Sequence, residues 1–434
     1  MSNPEIGSRE PEETQQQAEA RNLQEALEDK GFVETHVAEV QTRKAPLRGA
    51  GNPELKRGEI FRFERGQILK GYKILREQIR EAKERGEDTT EKRILLKEIR
   101  DQAKVLEKNL DEIERQCYEN VRVIDVDTEF GKFAVPVVEL DLRKKEDKES
   151  KKDDRTPYFF IPGMPTADFH NSVAVSMAMA LEGNRVFVPI DIEQSPSGKP
   201  ENFREMLKER GDLGIHAEVF KQIIRAVGLD KVNVMGHSFG ATIALELGTD
   251  PDFKELQDLV IMEPLGIEEK GVVKLAAQFG FSQSLLKFLP YAEQRIKVAK
   301  GVNTKARGDN ALYLQDVQII AKELYPVEKL SQIKPNGRFQ VWFGTDSPIM
   351  NVDKLEEAFL GAEELRGQDP NASPLEIYEV DGGEHMWPVR NALGLARMLA
   401  GGRSGEQITH VNTKDLKNSA MAGIIQGKIN KNIK

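Results

Sequence analysis

Apolar positions along this 434-residue chain change their spacing from one stretch to the next. Residues 1 to about 55 are rich in Glu, Gln, Pro and Gly and hold no sustained apolar period. Such a segment buries too little surface to order itself, which predicts a disordered leader. Within it, Leu23 to Val40 is weakly amphipathic and suited to folding on a partner. From residue 56 the pattern becomes helical. Ile68, Tyr72, Leu75, Ile79 and Ala82 recur at alternating steps of about four and three, the spacing of one helix face. A break follows at Gly86-Glu87-Asp88-Thr89. Leu96, Ile99, Ala103, Leu106, Leu110, Ile113 and Cys117 then form a heptad seam. Residues 56–119 therefore predict an antiparallel helical hairpin of coiled-coil type, with Cys117 as a small buried hydrophobe on its seam.

After residue 120 short apolar runs alternate with helical patterns. Val121 to Val126 and Phe133 to Leu140 flank Thr128-Glu129-Phe130-Gly131 and read as a hairpin. A charged linker, Arg143 to Arg155, follows. Tyr158 to Ile161, Val186 to Ile190, Val232 to Met235, Leu259 to Met262, Phe339 to Phe343 and Leu375 to Val380 then have the continuous apolar character of strands buried on both faces. The pattern predicts an α/β domain over residues 120–400, with a mostly parallel, doubly wound sheet and an antiparallel start. Strand signals stop between about 264 and 333, where helical segments such as Val272 to Phe279 and Leu285 to Val298 predict a helical cap insertion. Phe279, Phe281, Leu285, Phe288 and Leu289 read as the core of that cap or as the wall of an acyl pocket. Residues 401–434 predict a mobile C-terminal tail with one short helix near Asp415 to Ile425.

Composition narrows the class. Of the first 120 residues 49 are charged, against 86 of the remaining 314, which sets the helical leader apart from the domain behind it. The net charge of -9 supplies no basic footprint for nucleic acid. A single cysteine excludes an intramolecular disulfide framework and a multi-cysteine zinc site. No run of 18 apolar residues predicts a membrane span, and the polar, acidic N-terminus has no secretory h-region. These features fit a cytoplasmic enzyme or binding protein without metal or organic cofactor.

The chemistry concentrates at Gly236-His237-Ser238-Phe239-Gly240, between the strand ending at Met235 and the helical run Ala241 to Leu247. A serine on a sharp strand-to-helix turn, flanked by glycines that let strand and helix approach, projects its hydroxyl from the carboxyl end of the sheet. A hydroxyl needs a base, and the base an orienting acid. Only His385 and His410 follow Ser238; His385 lies in a loop after a predicted strand and His410 in the predicted tail, so His385 is the candidate base. Asp346, in Gly344-Thr345-Asp346-Ser347-Pro348, is the natural candidate acid, and Glu263, ending the strand Leu259 to Met262, is its rival. Backbone donors for an oxyanion fall at Phe239, after the nucleophile, and at Met164, in the loop Phe160 to Pro165 where Pro162 and Pro165 have no N–H.

In these motifs, their order and their positions, residues 121–400 resemble the α/β-hydrolase superfamily, in its serine-nucleophile, capped form. Val188-Pro189-Ile190-Asp191 is similar to that family's fourth strand and the Asp after it. Pro162-Gly163 stands where His-Gly is common, Ala241 replaces a frequent second glycine, and Glu193-Gln194-Ser195-Pro196 replaces the usual Gly-rich turn. The resemblance implies a serine hydrolase that cleaves an ester, thioester or amide of a small acyl substrate, a carboxylic ester foremost, through an acyl-enzyme on a Ser238-Asp346-His385 triad. An acyltransferase on the same triad and a non-catalytic binding or assembly protein are the alternatives. The N-terminal helices have no counterpart in the common family pattern. They suit a docking or homo-oligomer module. Among the other histidines, His170 reads as pocket-lining or helix-starting, His237 as pointing away from substrate, and His216 as structural. Trp387 either packs the histidine loop or lines the pocket.

Overall fold

A computed structural model describes residues 120–143, 155–163, 169–189, 199–271, 316–370, 372–400 and 408–413, with scattered positions between 76 and 116 and at 275 and 416. Nine strands are present among these residues. They are β1 (Val121–Thr128), β2 (Gly131–Leu140), β3 (Tyr158–Ile161), β4 (Val186–Pro189), β5 (Val232–His237), β6 (Leu256–Met262), β7 (Phe339–Gly344), β8 (Leu375–Asp381) and β9 (Ile408–Asn412). They form one sheet in the order β1-β2-β4-β3-β5-β6-β7-β8-β9. The β1–β2 and β2–β4 pairings are antiparallel, and every pairing from β4 through β9 is parallel.

The helices with described bounds are α1 (Phe169–Leu181), α2 (Phe203–Arg210), α3 (Gly214–Ala226), α4 (Phe239–Thr249), α5 (Val327–Ser331), α6 (Val352–Arg366), α7 (Trp387–Arg390) and α8 (Ala392–Ala400). They cover both faces of the sheet, which is why β3, β4, β5 and β7 are buried without alternation. Successive side chains of a strand point to opposite faces. Phe159, Val234, Ile261 and Val341 thus join a core with Val219 and Ile223 of α3, Ile243 and Leu247 of α4 and Phe359 of α6. Phe160, Met235, Val260, Met262 and Trp342 join the other core, with Met177 and Ala178 of α1 and Leu395 and Leu399 of α8. The order and the direction of the strands, with a helix-opening serine after β5, make this the α/β-hydrolase fold.

The break expected in the leader is a turn. Residues 79–84 are helical, Gly86 adopts φ 72°, and the Asp88 carboxylate accepts the Thr90 N–H at 2.9 Å ahead of the next helical stretch. Ile113 is buried in the core that holds Val138 and Leu140. Beside it the Gln116 amide pairs with the backbone of Asp141 in both directions, donating to the carbonyl at 2.9 Å and accepting the N–H at 2.8 Å. Most of the heptad seam, Cys117 included, lies outside the described residues, as do the leader 1–75 and residues 276–315 of the expected cap.

The carboxyl end of the chain differs from expectation. Residues 408–412, read as part of a mobile tail, form β9 and extend the parallel sheet beyond β8. Val411 and Leu416 are buried. The segment is short and mixed in polarity because only one side of an edge strand meets the core, and periodicity over so few residues is not diagnostic.

Candidate active site

β5 delivers the site. Its last residues run into α4 through Ser238, which adopts φ 55° and ψ -121° and is buried. Glu263, directly after β6, also has φ 55°; among the described residues these are the two non-glycine positions with positive φ. Such backbone costs about 1–3 kcal/mol per residue and persists where surrounding contacts overdetermine it. The contacts are present. The Ser238 N–H bonds to the Met262 carbonyl at 2.9 Å, the Glu263 N–H bonds to the Trp342 carbonyl at 2.8 Å, and Thr242 of α4 exchanges hydrogen bonds with the backbone of Leu265. The loop after β3 packs onto the same turn. A Cβ at Gly240 would lie 2.1 Å from the Ile161 carbonyl oxygen, so only glycine fits there, and one at Gly163 would meet the Ser238 Cβ at 3.0 Å.

The histidine loop leaves β8 and passes over the end of β7. The crossing is tight: a Cβ at Gly344 would lie 2.1 Å from the Gly383 carbonyl oxygen. That approach carries His385 to the serine, with Nε2 2.9 Å from Ser238 Oγ. The other ring nitrogen, Nδ1, lies 3.1 Å from Glu263 Oε2. Glu263 Oε1 accepts the Gly344 backbone N–H at 2.6 Å and the Trp387 indole N–H at 2.7 Å. Both His385 and Glu263 are buried, and Glu263 fully so.

The expectation that Asp346 orients the histidine is corrected by this geometry. Asp346 is exposed, its carboxylate accepts a hydrogen bond from the neighbouring Thr345 hydroxyl, and its backbone N–H holds the Gly383 carbonyl at 3.0 Å. It braces the histidine loop through its main chain, while Glu263 occupies the Nδ1 side of the ring. The physical reason is strand adjacency. β6 lies directly beside β5, and a glutamate at its end, turned by a positive φ, reaches the histidine from within the sheet.

Other residues singled out from the sequence fall as follows. Phe239 opens α4, where the first amide of a helix has no intrahelical acceptor. Met164 lies outside the described residues, and so do the side chain of His170 and Asp191. His237 is buried beside His385. Its ring lies 5.3 Å from that of His385, its Nε2 is 3.1 Å from the His385 carbonyl, and burial together with the neighbouring imidazole pushes its pKa down to about 3. His216 sits between the rings of Phe203 and Phe239. His410 pairs with Glu379 on β8, at the sheet edge. The open choice for Trp387 resolves toward the acid: it binds Glu263. The signal for Glu263 was present in the sequence as a charged residue terminating an apolar, doubly buried strand.

The strand order, with a sharp turn at Ser238 between β5 and α4 on which a histidine and a carboxylate converge, is that of the α/β-hydrolase fold. Solved structures similar to this chain share little sequence with it. One is a bacterial membrane phospholipase A, 14% identical over 70% of this chain and 90% of that one, with a TM-score of 0.46. Another is a serine hydrolase from Cycloclasticus zankles, 13% identical over 64% and 96% of the two chains, with a TM-score of 0.46. A meta-cleavage product hydrolase from Pseudomonas fluorescens is 13% identical over 62% and 93%, with a TM-score of 0.45. No family model and no curated protein matches the sequence. Among the described residues no helix is long and apolar enough to cross a membrane.

Proposed function

We propose that this protein is a serine hydrolase that cleaves an ester, thioester or amide through an acyl-enzyme, with Ser238 as nucleophile, His385 as base and Glu263 as orienting acid. The observation that carries the reading is the continuous chain from Ser238 Oγ to His385 Nε2 at 2.9 Å and from His385 Nδ1 to Glu263 Oε2 at 3.1 Å. Ser238 Oγ attacks the acyl carbon as Nε2 takes its proton. The Glu263 carboxylate holds the ring in the tautomer with Nδ1–H and stabilises the imidazolium that results. The oxyanion accepts the Phe239 N–H and a second donor, proposed at Met164. Collapse expels the alcohol, thiol or amine, which takes the proton from Nε2. Water then attacks the acyl-enzyme with His385 as base again, releasing the acid and restoring Ser238. With an alcohol or amine in place of that water the same groups perform acyl transfer, and product analysis with and without added acceptor separates the two.

Fluorophosphonate labelling followed by intact mass tests the reading. The wild type gains one phosphonyl group and Ser238→Ala gains none. A folded wild type that resists labelling would make the protein a binding module.

A further inference from the structure

The groups around Glu263 go beyond the three reacting side chains. Trp387 lies two positions after His385 and its indole N–H meets Glu263 Oε1 at 2.7 Å. The same oxygen takes the Gly344 N–H, so Oε2 is the oxygen left for the histidine. The indole is itself fixed. Trp387 is buried, its ring lies 6.1 Å from that of Trp342, and Trp342 stacks on Tyr378 at 3.9 Å with 3° between planes. The Trp387 backbone is held at both ends, with its N–H on the Glu384 carbonyl at 2.7 Å and its carbonyl accepting the Asn391 side-chain amide at 2.9 Å.

We propose that Trp387 is a positioning residue for the hydrolytic reaction, acting through Glu263: its indole N–H locks the plane of the carboxylate so that Oε2 alone faces His385. The proposal rests on the reading of Ser238, His385 and Glu263 given above and deepens it. A buried carboxylate on a flexible side chain has two equivalent oxygens and a soft terminal torsion. The Gly344 N–H by itself fixes one contact. The indole adds a second from another direction and leaves one orientation. It also offsets part of the carboxylate charge that faces His385.

The test is a double-mutant cycle on a chromogenic aryl acetate, with Trp387→Phe and Glu263→Gln singly and together. Trp387→Phe keeps the ring and removes the donor; benzothienylalanine at 387 keeps the indole shape with sulfur in place of N–H and covers the case in which phenylalanine packs poorly. Expected are a fall in kcat of about 10- to 100-fold with KM within about two-fold, and an acid limb of the kcat/KM profile moved to higher pH. In the Glu263→Gln background the same replacement changes kcat less than about two-fold, because the carboxylate through which it acts is gone. Independently of turnover, the downfield proton on His385 Nδ1 in the NMR spectrum shifts in the benzothienylalanine protein. Additive losses in the cycle, or an unmoved acid limb and Nδ1 proton in a folded variant, overturn the proposal. If the wild type fails to turn over or label while the Nδ1 proton still responds to position 387, the hydrolase reading falls and the Trp387–Glu263–His385 coupling stands.

Discussion

Glu263 Oε2 lies 3.1 Å from His385 Nδ1 although 122 positions separate the two residues in the chain. The contact spans the end of β7, because Glu263 follows β6 and His385 follows β8. It therefore depends on both loops at once, and it predicts an order of damage. Glu263→Gln should lower kcat on an activated ester by about 10³- to 10⁴-fold, the scale on which loss of the orienting acid acts. Asp346→Asn should cost less than about ten-fold, since Asp346 contributes a backbone N–H that the asparagine retains. Steady-state kinetics of the two variants decides the matter; the opposite ranking would return the acid to Asp346.

Ser238 is expected to be the sole site of covalent capture. Tryptic mapping of the fluorophosphonate adduct should place the label on the peptide containing Ser238, and Ser238→Ala should keep the circular dichroism spectrum of the wild type while losing the adduct. A label found elsewhere, or retained at full stoichiometry in Ser238→Ala, would remove the elbow from the chemistry.

His237 predicts a pH dependence of stability. Its pKa in the folded protein is about 3, lowered by burial and by His385, against an ordinary value of 6.5. The unfolded chain therefore binds this proton first as pH falls. The neutral ring's contribution is complete above about pH 6.5 and is lost progressively as pH falls toward 3, at up to about 1.4 kcal/mol per pH unit. His237→Gln keeps a donor for the His385 carbonyl and removes the titration. Urea unfolding at pH 7, 6, 5 and 4 should give a shallower decline in stability for the variant by up to one proton. Parallel declines would show that His237 takes up its proton at the same pH in the fold as in the unfolded chain.

Gln116 predicts that the helical segment before β1 is attached to the α/β domain. Its side chain is buried and satisfies both the N–H and the carbonyl of Asp141. Gln116→Leu removes both of these buried hydrogen bonds, at a cost of about 1–3 kcal/mol. The melting temperature should fall while the rate of fluorophosphonate labelling at low temperature stays within about two-fold. An unchanged melting temperature would mean that the Gln116 contact with Asp141 contributes nothing to the folded state.

Local chemistry made much of this protein legible from its sequence. The continuous apolar runs announced buried parallel strands, because a strand covered on both faces has no polar side to alternate with. The pattern gave β3 to β8 and the antiparallel start at β1 and β2, and it missed β9, whose five residues are too few and too mixed to carry a period. Gly236 to Gly240 marked the turn that carries Ser238, because glycines are needed where strand and helix approach that closely. His385 followed by elimination and by its place after β8.

The acid did not follow. Asp346 and Glu263 both stand at carboxyl ends of strands, and chain order cannot measure which carboxylate meets an imidazole. That was decided by the side-by-side placement of β5 and β6, by the positive φ that turns Glu263 inward, and by the Gly344 and Trp387 donors that stabilise its buried charge. Trp387 was undecided for the same reason: its partner Glu263 lies more than 100 positions away in the chain. A one-dimensional pattern records what each residue prefers around it, burial or exposure, strand or turn. Which residue satisfies that preference is settled only when the sheet brings its strand ends together.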